Sequence, residues 1–200
     1  MRKAAERLIG WTVAGLGGAL GAVQTAVGAQ ARPRPLDDCE TALLRRVFGG
    51  GLDLAPIRIV PGRAGLFGLS RRPFALGNRL YLKGGDPKAR PDVFVHEACH
   101  VWQYQRRGFV YAGGAILAQA TKGRHAYDWR AEKSAGKVWL DFNPEAQAQF
   151  VQDLFRDRDG AFFDAPAVSR FVHRGEDLTA FARAVVAQLR RLPNASSGPT

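Results

Sequence analysis

Two histidines and a glutamate lie within five consecutive residues, His96-Glu97-Ala98-Cys99-His100. On a helix, a separation of four residues corresponds to about 400° of rotation, so both imidazoles leave the same face and can bind one metal ion. Zinc accepts such nitrogen ligands and lowers the pKa of a bound water to near neutrality. Glu97 lies beside the two ligands, where it can accept a proton from that water and pass it to a leaving group. The spacing predicts the HExxH helix of a zinc-dependent hydrolase.

The residues around this motif carry helical signals at both ends. Pro91 suits the first turn of a helix, where its missing N–H is not needed, and Gly108 suits the residue after the last turn. Phe94 and Trp102 can supply core contacts. The positions at which metzincins have a glycine and a third histidine are Gln103 and Arg106 here, which excludes that class. Two histidines on an ordinary helix remain the alternative interpretation.

The third metal ligand must come from another part of the chain. In the gluzincin arrangement, a glutamate on a later helix completes the site and leaves one position for water. Glu145 follows Asn143-Pro144, a cap and first-turn pair that predicts a helix start, so its carboxylate would be held rigidly. Compensation of the helix dipole is the alternative role of Glu145. His125 and Asp128 are the alternative ligands.

Supporting residues are expected in the same half of the chain. Gluzincins commonly have an aspartate one turn after the glutamate ligand, which orients a zinc histidine; that position is Gln149 here, with Asp141 as another candidate. His125 and Tyr127 are candidate donors to an oxyanion, although each can equally be an ordinary loop residue. Residues 79–82 are predicted to form an edge strand that aligns an extended peptide, or simply to pack the sheet.

The remaining patterns predict an α+β fold: a small zincin-like domain with a short antiparallel sheet, the motif helix and additional helices. An amphipathic helix ends at the glycines 49–51, and Ile57-Arg58-Ile59-Val60 alternates as a short strand does. Gly77-Asn78 between two apolar runs predicts a tight hairpin. A last helix is predicted around residues 178–192 from apolar residues at helical spacing.

The first 31 residues have the pattern of an export signal. Three basic residues and one acidic residue occupy positions 1–7, and an uncharged stretch follows, which ends at Ala29-Gln30-Ala31. We expect a signal peptide or an inner-membrane anchor, and hence an exported or periplasmic location. A glycine-rich soluble extension, with a cytoplasmic location, is the alternative. The predicted organisation is a leader or anchor in residues 1–31, a metallohydrolase domain in 32–193 and a disordered tail in 194–200.

The composition indicates one globular domain. Of the 200 residues, 46% are hydrophobic and 24% are charged, which excludes a disordered chain. The net charge of +11 favours anionic partners in general, but the arginines are scattered and the sequence contains no recognised nucleic-acid module. Cys39 and Cys99 are too few for a disulfide scaffold, and the sequence leaves open whether they pair.

Longer stretches around the motif match a known pattern. The matching segments are Leu43-Leu44-Arg45-Arg46-Val47-Phe48-Gly49, Ile57-Arg58-Ile59-Val60, Val93-Phe94-Val95-His96-Glu97-Ala98-Cys99-His100-Val101-Trp102-Gln103, Tyr127-Asp128 and Glu145-Ala146-Gln147-Ala148-Gln149-Phe150-Val151. In these segments the chain resembles short bacterial proteins labelled Vgr-related, within the gluzincin-like zincins. The resemblance implies a metallopeptidase with Glu145 in the second acidic motif, and an association with bacterial secretion systems. The N-terminal extension departs from the shorter members.

Three hypotheses follow from the sequence. The first is a zinc-dependent peptidase in which His96, His100 and Glu145 bind Zn²⁺, and the base Glu97 promotes hydrolysis of a peptide or protein substrate. The second is a zinc-bound but inactive fold that acts as a binding or secretion-associated module. The third is a basic protein that binds nucleic acid or a membrane surface without sequence specificity.

Overall fold

The structure, a computed structural model, describes residues 30–62, 72–108 and 123–192, which form a mixed arrangement of helices and short strands. In chain order, its elements are α1 (Asp38–Phe48), β1 (Arg58–Val60), β2 (Phe74–Leu76), β3 (Arg79–Tyr81), α2 (Pro91–Arg107), α3 (Trp129–Ser134), α4 (Pro144–Arg156), α5 (Ala161–Asp164), β4 (Val172–His173), β5 (Glu176–Asp177) and α6 (Thr179–Arg190). Single 3₁₀ turns occupy Gly49–Gly51, Gly123–Tyr127, Trp139–Asp141 and Asp157–Gly160. The predicted α+β class is confirmed; the zincin-like arrangement stays a prediction.

Several sequence predictions fall on parts of the chain that are not described. The leader or anchor, apart from its last two residues, and the polar tail 194–200 lie outside the described residues. Within the three described ranges, no helix is both long and apolar enough to cross a bilayer.

The main sheet differs from the prediction in one respect. The hairpin around Gly77-Asn78 is confirmed, because β2 and β3 pair antiparallel with Leu76 opposite Arg79. However, β1 pairs parallel with β3, so the sheet is mixed and the predicted antiparallel sheet is wrong. The order β1-β3-β2 puts β3 in the middle, with a neighbour on each side. The expectation that residues 79–82 form an edge strand is therefore wrong.

The first helix forms as its sequence predicts. The Asp37 carboxylate accepts a hydrogen bond from the Glu40 backbone N–H, and the Glu40 side chain accepts one from Asp37, which completes a capping box. The chain then passes under α6, where a Cβ on Gly51 would lie 1.8 Å from the Leu189 carbonyl oxygen. Only glycine allows this approach, which joins the start of the domain to its last helix.

The two longest helices, α2 and α4, pack against each other through the centre of the core. Pro91 begins α2 and Gly108 ends it with a φ of 60°, as predicted. Asn143 caps α4, because its side-chain oxygen accepts hydrogen bonds from the N–H groups of Glu145 and Ala146. These two helices carry all the residues of the predicted metal site.

Candidate metal centre

The second and third turns of α2 present the motif to a buried region. His96 and His100 are 7% and 6% exposed, and their ring centroids lie 5.0 Å apart in an edge-to-face arrangement. The helix is continuous from Pro91 to Arg107, so residues four positions apart lie on the same face, as predicted. Both imidazoles therefore leave one face of the helix.

The capped N-terminus of α4 places Glu145 next to the two histidines. Its Oε2 atom lies 3.5 Å from His96 Nε2 and 3.5 Å from His100 Nε2. Ligand atoms of all three residues lie within 4.8 Å of one another, and all three residues are buried. In the described ranges, neither His125 nor Asp128 belongs to such a cluster. Asp128 instead caps α3, where it accepts hydrogen bonds from Arg130 and Ala131 N–H.

The Nε2 atoms of His96 and His100 and the Oε2 atom of Glu145 fit a zinc ion by chemistry and by spacing. Two imidazole nitrogens and one carboxylate oxygen are the donor set of many catalytic zinc sites. Ligand atoms about 2.0–2.1 Å from a common tetrahedral ion lie about 3.3 Å apart, close to the observed 3.5 Å. The residues present can therefore hold the ion without rearrangement of the helices.

Glu97 lies next to this cluster and does not belong to it. Its side chain is 6% exposed, and its Oε2 atom has no hydrogen-bond partner among the described residues. Burial raises the pKa of the Glu97 carboxyl, the charges of His96 and His100 oppose the increase, and the charge of Glu145 adds to it. A buried carboxylate that has one unpaired oxygen and lies beside the His-His-Glu cluster has the properties of a general base.

The cluster also has a strong internal charge arrangement. Burial lowers the pKa of His100, but the charge of Glu145 and hydrogen bonds with Glu145 and Gln103 raise it to about 9. Burial raises the pKa of Glu145, yet the two imidazoles outweigh it and hold this pKa well below its usual range. Glu145 is therefore ionised, and with the two imidazoles it forms a site suited to a cation.

The hydrogen-bond partner of His100 is a residue that the sequence analysis did not assign to this role. His100 Nδ1 lies 2.8 Å from Gln103 Oε1, one turn further along α2. The predicted candidates lie elsewhere, since Gln149 donates to Asp153 and Asp141 is exposed. The prediction of Gln149 or Asp141 as the orienting group is therefore wrong. Gln103 lies three residues after His100 and hence on the same face of the helix, which is the sequence feature that could have indicated this role.

The two candidate oxyanion donors differ in position. Tyr127 is half-buried, with its ring centroid 6.1 Å from that of His96, whereas His125 is exposed. Burial raises the pKa of the Tyr127 hydroxyl, and the charge of Glu145 adds to it. Tyr127 thus keeps its proton and lies beside the cluster, which is the arrangement that a hydrogen-bond donor to a reacting oxygen needs.

A cavity of about 320 Å³ borders the first turn of α2. Val93 and Phe94 line it from the helix, and Leu82 and Lys83 line it from the segment after β3. Burial lowers the pKa of Lys83, and the charge of Glu97 opposes this, so the lysine lies within electrostatic range of the candidate base. The cavity is large enough for one or two side chains of a ligand.

The fold and the site define an α+β domain with a buried His-His-Glu cluster. Over 182 aligned residues, the chain is 31% identical to the type VI secretion system spike protein VgrG2b of Pseudomonas aeruginosa. This match covers 80% of the chain but only 17% of that protein, so the chain spans about a sixth of the relative's length. The similarity makes the chain a Vgr-related bacterial protein. No family model and no solved structure matches it.

Proposed function

We propose that the chain is a zinc-dependent metallopeptidase, with His96, His100 and Glu145 as ligands. The observation that carries this proposal is the meeting of Glu145 with both motif histidines, at 3.5 Å from each ring nitrogen. The three residues come from two helices, so the HExxH spacing alone does not bring them together. Their nitrogen and oxygen atoms match the protein ligands of a catalytic zinc site, which leaves a position for water or substrate.

The chemistry divides between the ion and two side chains, Glu97 and Tyr127. A zinc ion in this site would supply a Lewis acid that makes water more acidic and polarises a carbonyl group. Glu97 accepts the proton of the attacking water and delivers it to the amine leaving group. Tyr127 donates a hydrogen bond to the oxygen that becomes negatively charged. His100, Glu145 and the buried surroundings keep these groups in fixed positions.

A peptide bond is the proposed substrate because the motif and its flanking residues resemble those of gluzincin-like peptidases. The relative with 31% identity is by name a spike protein of a type VI secretion system. We extend this to a proposed association of the chain with bacterial secretion, with a peptide or protein target.

The substitution Glu97→Gln tests the proposed activity. We expect it to reduce hydrolysis of a broad peptide library by at least about 100-fold, since a positioned general base contributes that much, while zinc content stays unchanged. Glu176→Gln is the matched control, because Glu176 forms a surface ion pair with Lys133 and is more than half exposed. Its activity should equal that of the wild type.

Two outcomes would overturn the proposal. Equal hydrolysis by the wild type and the Glu97→Gln variant would remove Glu97 from the mechanism. A wild-type chain that holds stoichiometric zinc but hydrolyses no peptide would instead identify an inactive zinc-bound module.

A further inference from the structure

We propose that two buried glutamines, Gln103 and Gln147, hold a proton on Nδ1 of His100, so that Nε2, the ring nitrogen that faces Glu145, is the one left to bind the metal. Both glutamines are at most 1% exposed, so water does not compete for their hydrogen bonds. The consequence for metal binding rests on the proposed zinc site. The proton on Nδ1 is itself a property of the metal-free chain and can be measured separately.

The direction of the hydrogen bonds from Gln147 through Gln103 to His100, here called the glutamine relay, is set by the partners of Gln147. The Gln147 side chain lies 3.0 Å from the Trp139 carbonyl oxygen and 2.9 Å from the Leu140 carbonyl oxygen. Carbonyl oxygens can only accept, so the atom that faces them must be the Nε2 donor. The Oε1 atom of Gln147 therefore faces Gln103 as an acceptor.

The same reasoning fixes the orientation of Gln103. Its side chain lies 2.9 Å from Gln147 Oε1 and 2.9 Å from the Pro144 carbonyl oxygen, and both atoms are acceptors. Nε2 must point at them, which leaves Oε1 as the atom 2.8 Å from His100 Nδ1. Since Gln103 Oε1 is an acceptor, Nδ1 of His100 has to be the donor.

The glutamine relay also links both helices of the site. Gln103 belongs to α2, whereas Pro144 is the first residue of α4 and directly precedes Glu145. One set of hydrogen bonds therefore orients His100 and positions the backbone next to Glu145. His96 differs, because its buried Nδ1 atom has no partner among the described residues. Among the described residues, the two glutamines thus orient His100 and not His96.

Nuclear magnetic resonance of the metal-free, full-length chain tests the protonation of Nδ1 directly. In spectra that correlate the ring nitrogens with the carbon-bound ring protons, we expect Nδ1 of His100 to carry a proton. We also expect magnetisation transfer between this proton and the Gln103 side-chain amide. An Nδ1 atom without a proton would overturn the proposal. The measurement needs neither zinc nor substrate, so it is independent of the proposed function.

Zinc affinity, measured by competition with a chelator, tests the consequence. We expect Gln103→Met to weaken zinc binding about 10–100-fold, because loss of a ligand's hydrogen-bond partner has effects of that size. The matched control is Gln152→Met, since Gln152 is a buried glutamine that also joins α4 to α2, through Asp92, away from the cluster. It should change affinity less than about threefold.

Each remaining outcome has a defined meaning. Equal weakening by Gln103→Met and Gln152→Met would mean that only helix packing matters, and would overturn the orienting role. If Gln103→Met does not fold, the spectra of the wild type decide. If the wild type binds no zinc, the proposed function fails, while the protonation of Nδ1 is still decided by the spectra.

Discussion

Two buried polar atoms without hydrogen-bond partners among the described residues lie at the proposed site. Glu97 Oε2 and His96 Nδ1 are both inaccessible and lack hydrogen bonds to the residues that the structure describes. Leaving a buried polar atom unpaired costs on the order of 1–3 kcal/mol, so proteins rarely accept it without a function. In a hydrolase the unpaired oxygen of Glu97 is explained, because its partner is the substrate water.

Substitution of Tyr127 tests its role at the level of a single hydroxyl. We expect Tyr127→Phe to lower kcat about 100-fold, the usual effect of removing one oxyanion donor, with zinc affinity unchanged. Tyr104→Phe, which removes a hydroxyl from the later part of α2, serves as the control. An unchanged kcat in the Tyr127 variant, measured with a cleaved peptide, would exclude this role.

At the residue scale, the sequence predicts the three residues of the His-His-Glu cluster but not the hydrogen-bond partner of His100. The pair His96 and His100 follows from helical periodicity alone. Glu145 was predicted from its capped helix start and from a family resemblance, and the structure brings it to both imidazoles. Gln103 was not assigned, because its function depends on the side chain of Gln147 and the carbonyl of Pro144 in another helix. Such partners are not encoded in local spacing.

At the scale of elements, helix ends are predictable and strand neighbours are not. Pro91 begins a helix and Asn143 caps one at the positions that the sequence indicates. The order β1-β3-β2 could not be predicted, because three-residue strands carry little pairing information and the parallel contact of β1 with β3 is non-local. The edge-strand prediction failed for this reason.

The packing of α2 on α4 depends on a polar contact that can be tested. Asp92, in the first turn of α2, accepts hydrogen bonds from Gln152 at 2.8 Å and from Arg156 at 2.7 Å. We expect Asp92→Ala to lower the free energy of unfolding by about 1–3 kcal/mol, because both donors lose their acceptor. Urea denaturation measures this change. Asp38→Ala removes a first-turn carboxylate from α1 and controls for the helix dipole.

The same contact predicts a pH dependence. Partial burial raises the pKa of Asp92, but hydrogen bonds from Gln152 and Arg156 outweigh it and hold this pKa well below its ordinary value. A carboxyl with a lowered native pKa adds stability that is complete above its unfolded value, about pH 4, and is lost as the pH falls further. The stability difference between wild type and Asp92→Ala should therefore shrink below about pH 4. A difference that grows on acidification would contradict this.

At the scale of the whole molecule, two observations bear on where the domain acts. One is its similarity to a longer spike protein, and the other is the pattern of its N-terminal residues. The aligned part of the chain corresponds to 17% of VgrG2b. The export pattern of residues 1–31 predicts cleavage after Ala31. Cell fractionation with N-terminal sequencing checks this: we expect a periplasmic or secreted protein that begins at Arg32. An intact Met1 on a cytosolic protein would contradict the export prediction.

The central claim is that one zinc ion binds between α2 and α4. The most direct measurement is a crystal structure of the purified chain with anomalous diffraction recorded on both sides of the zinc absorption edge. We predict a single strong zinc peak about 2.0–2.2 Å from His96 Nε2, His100 Nε2 and a Glu145 carboxylate oxygen. The peak should be lost in Glu145→Gln crystals soaked at the same zinc concentration. No peak at this point in the wild type, or a zinc ion bound by other residues, would contradict the account.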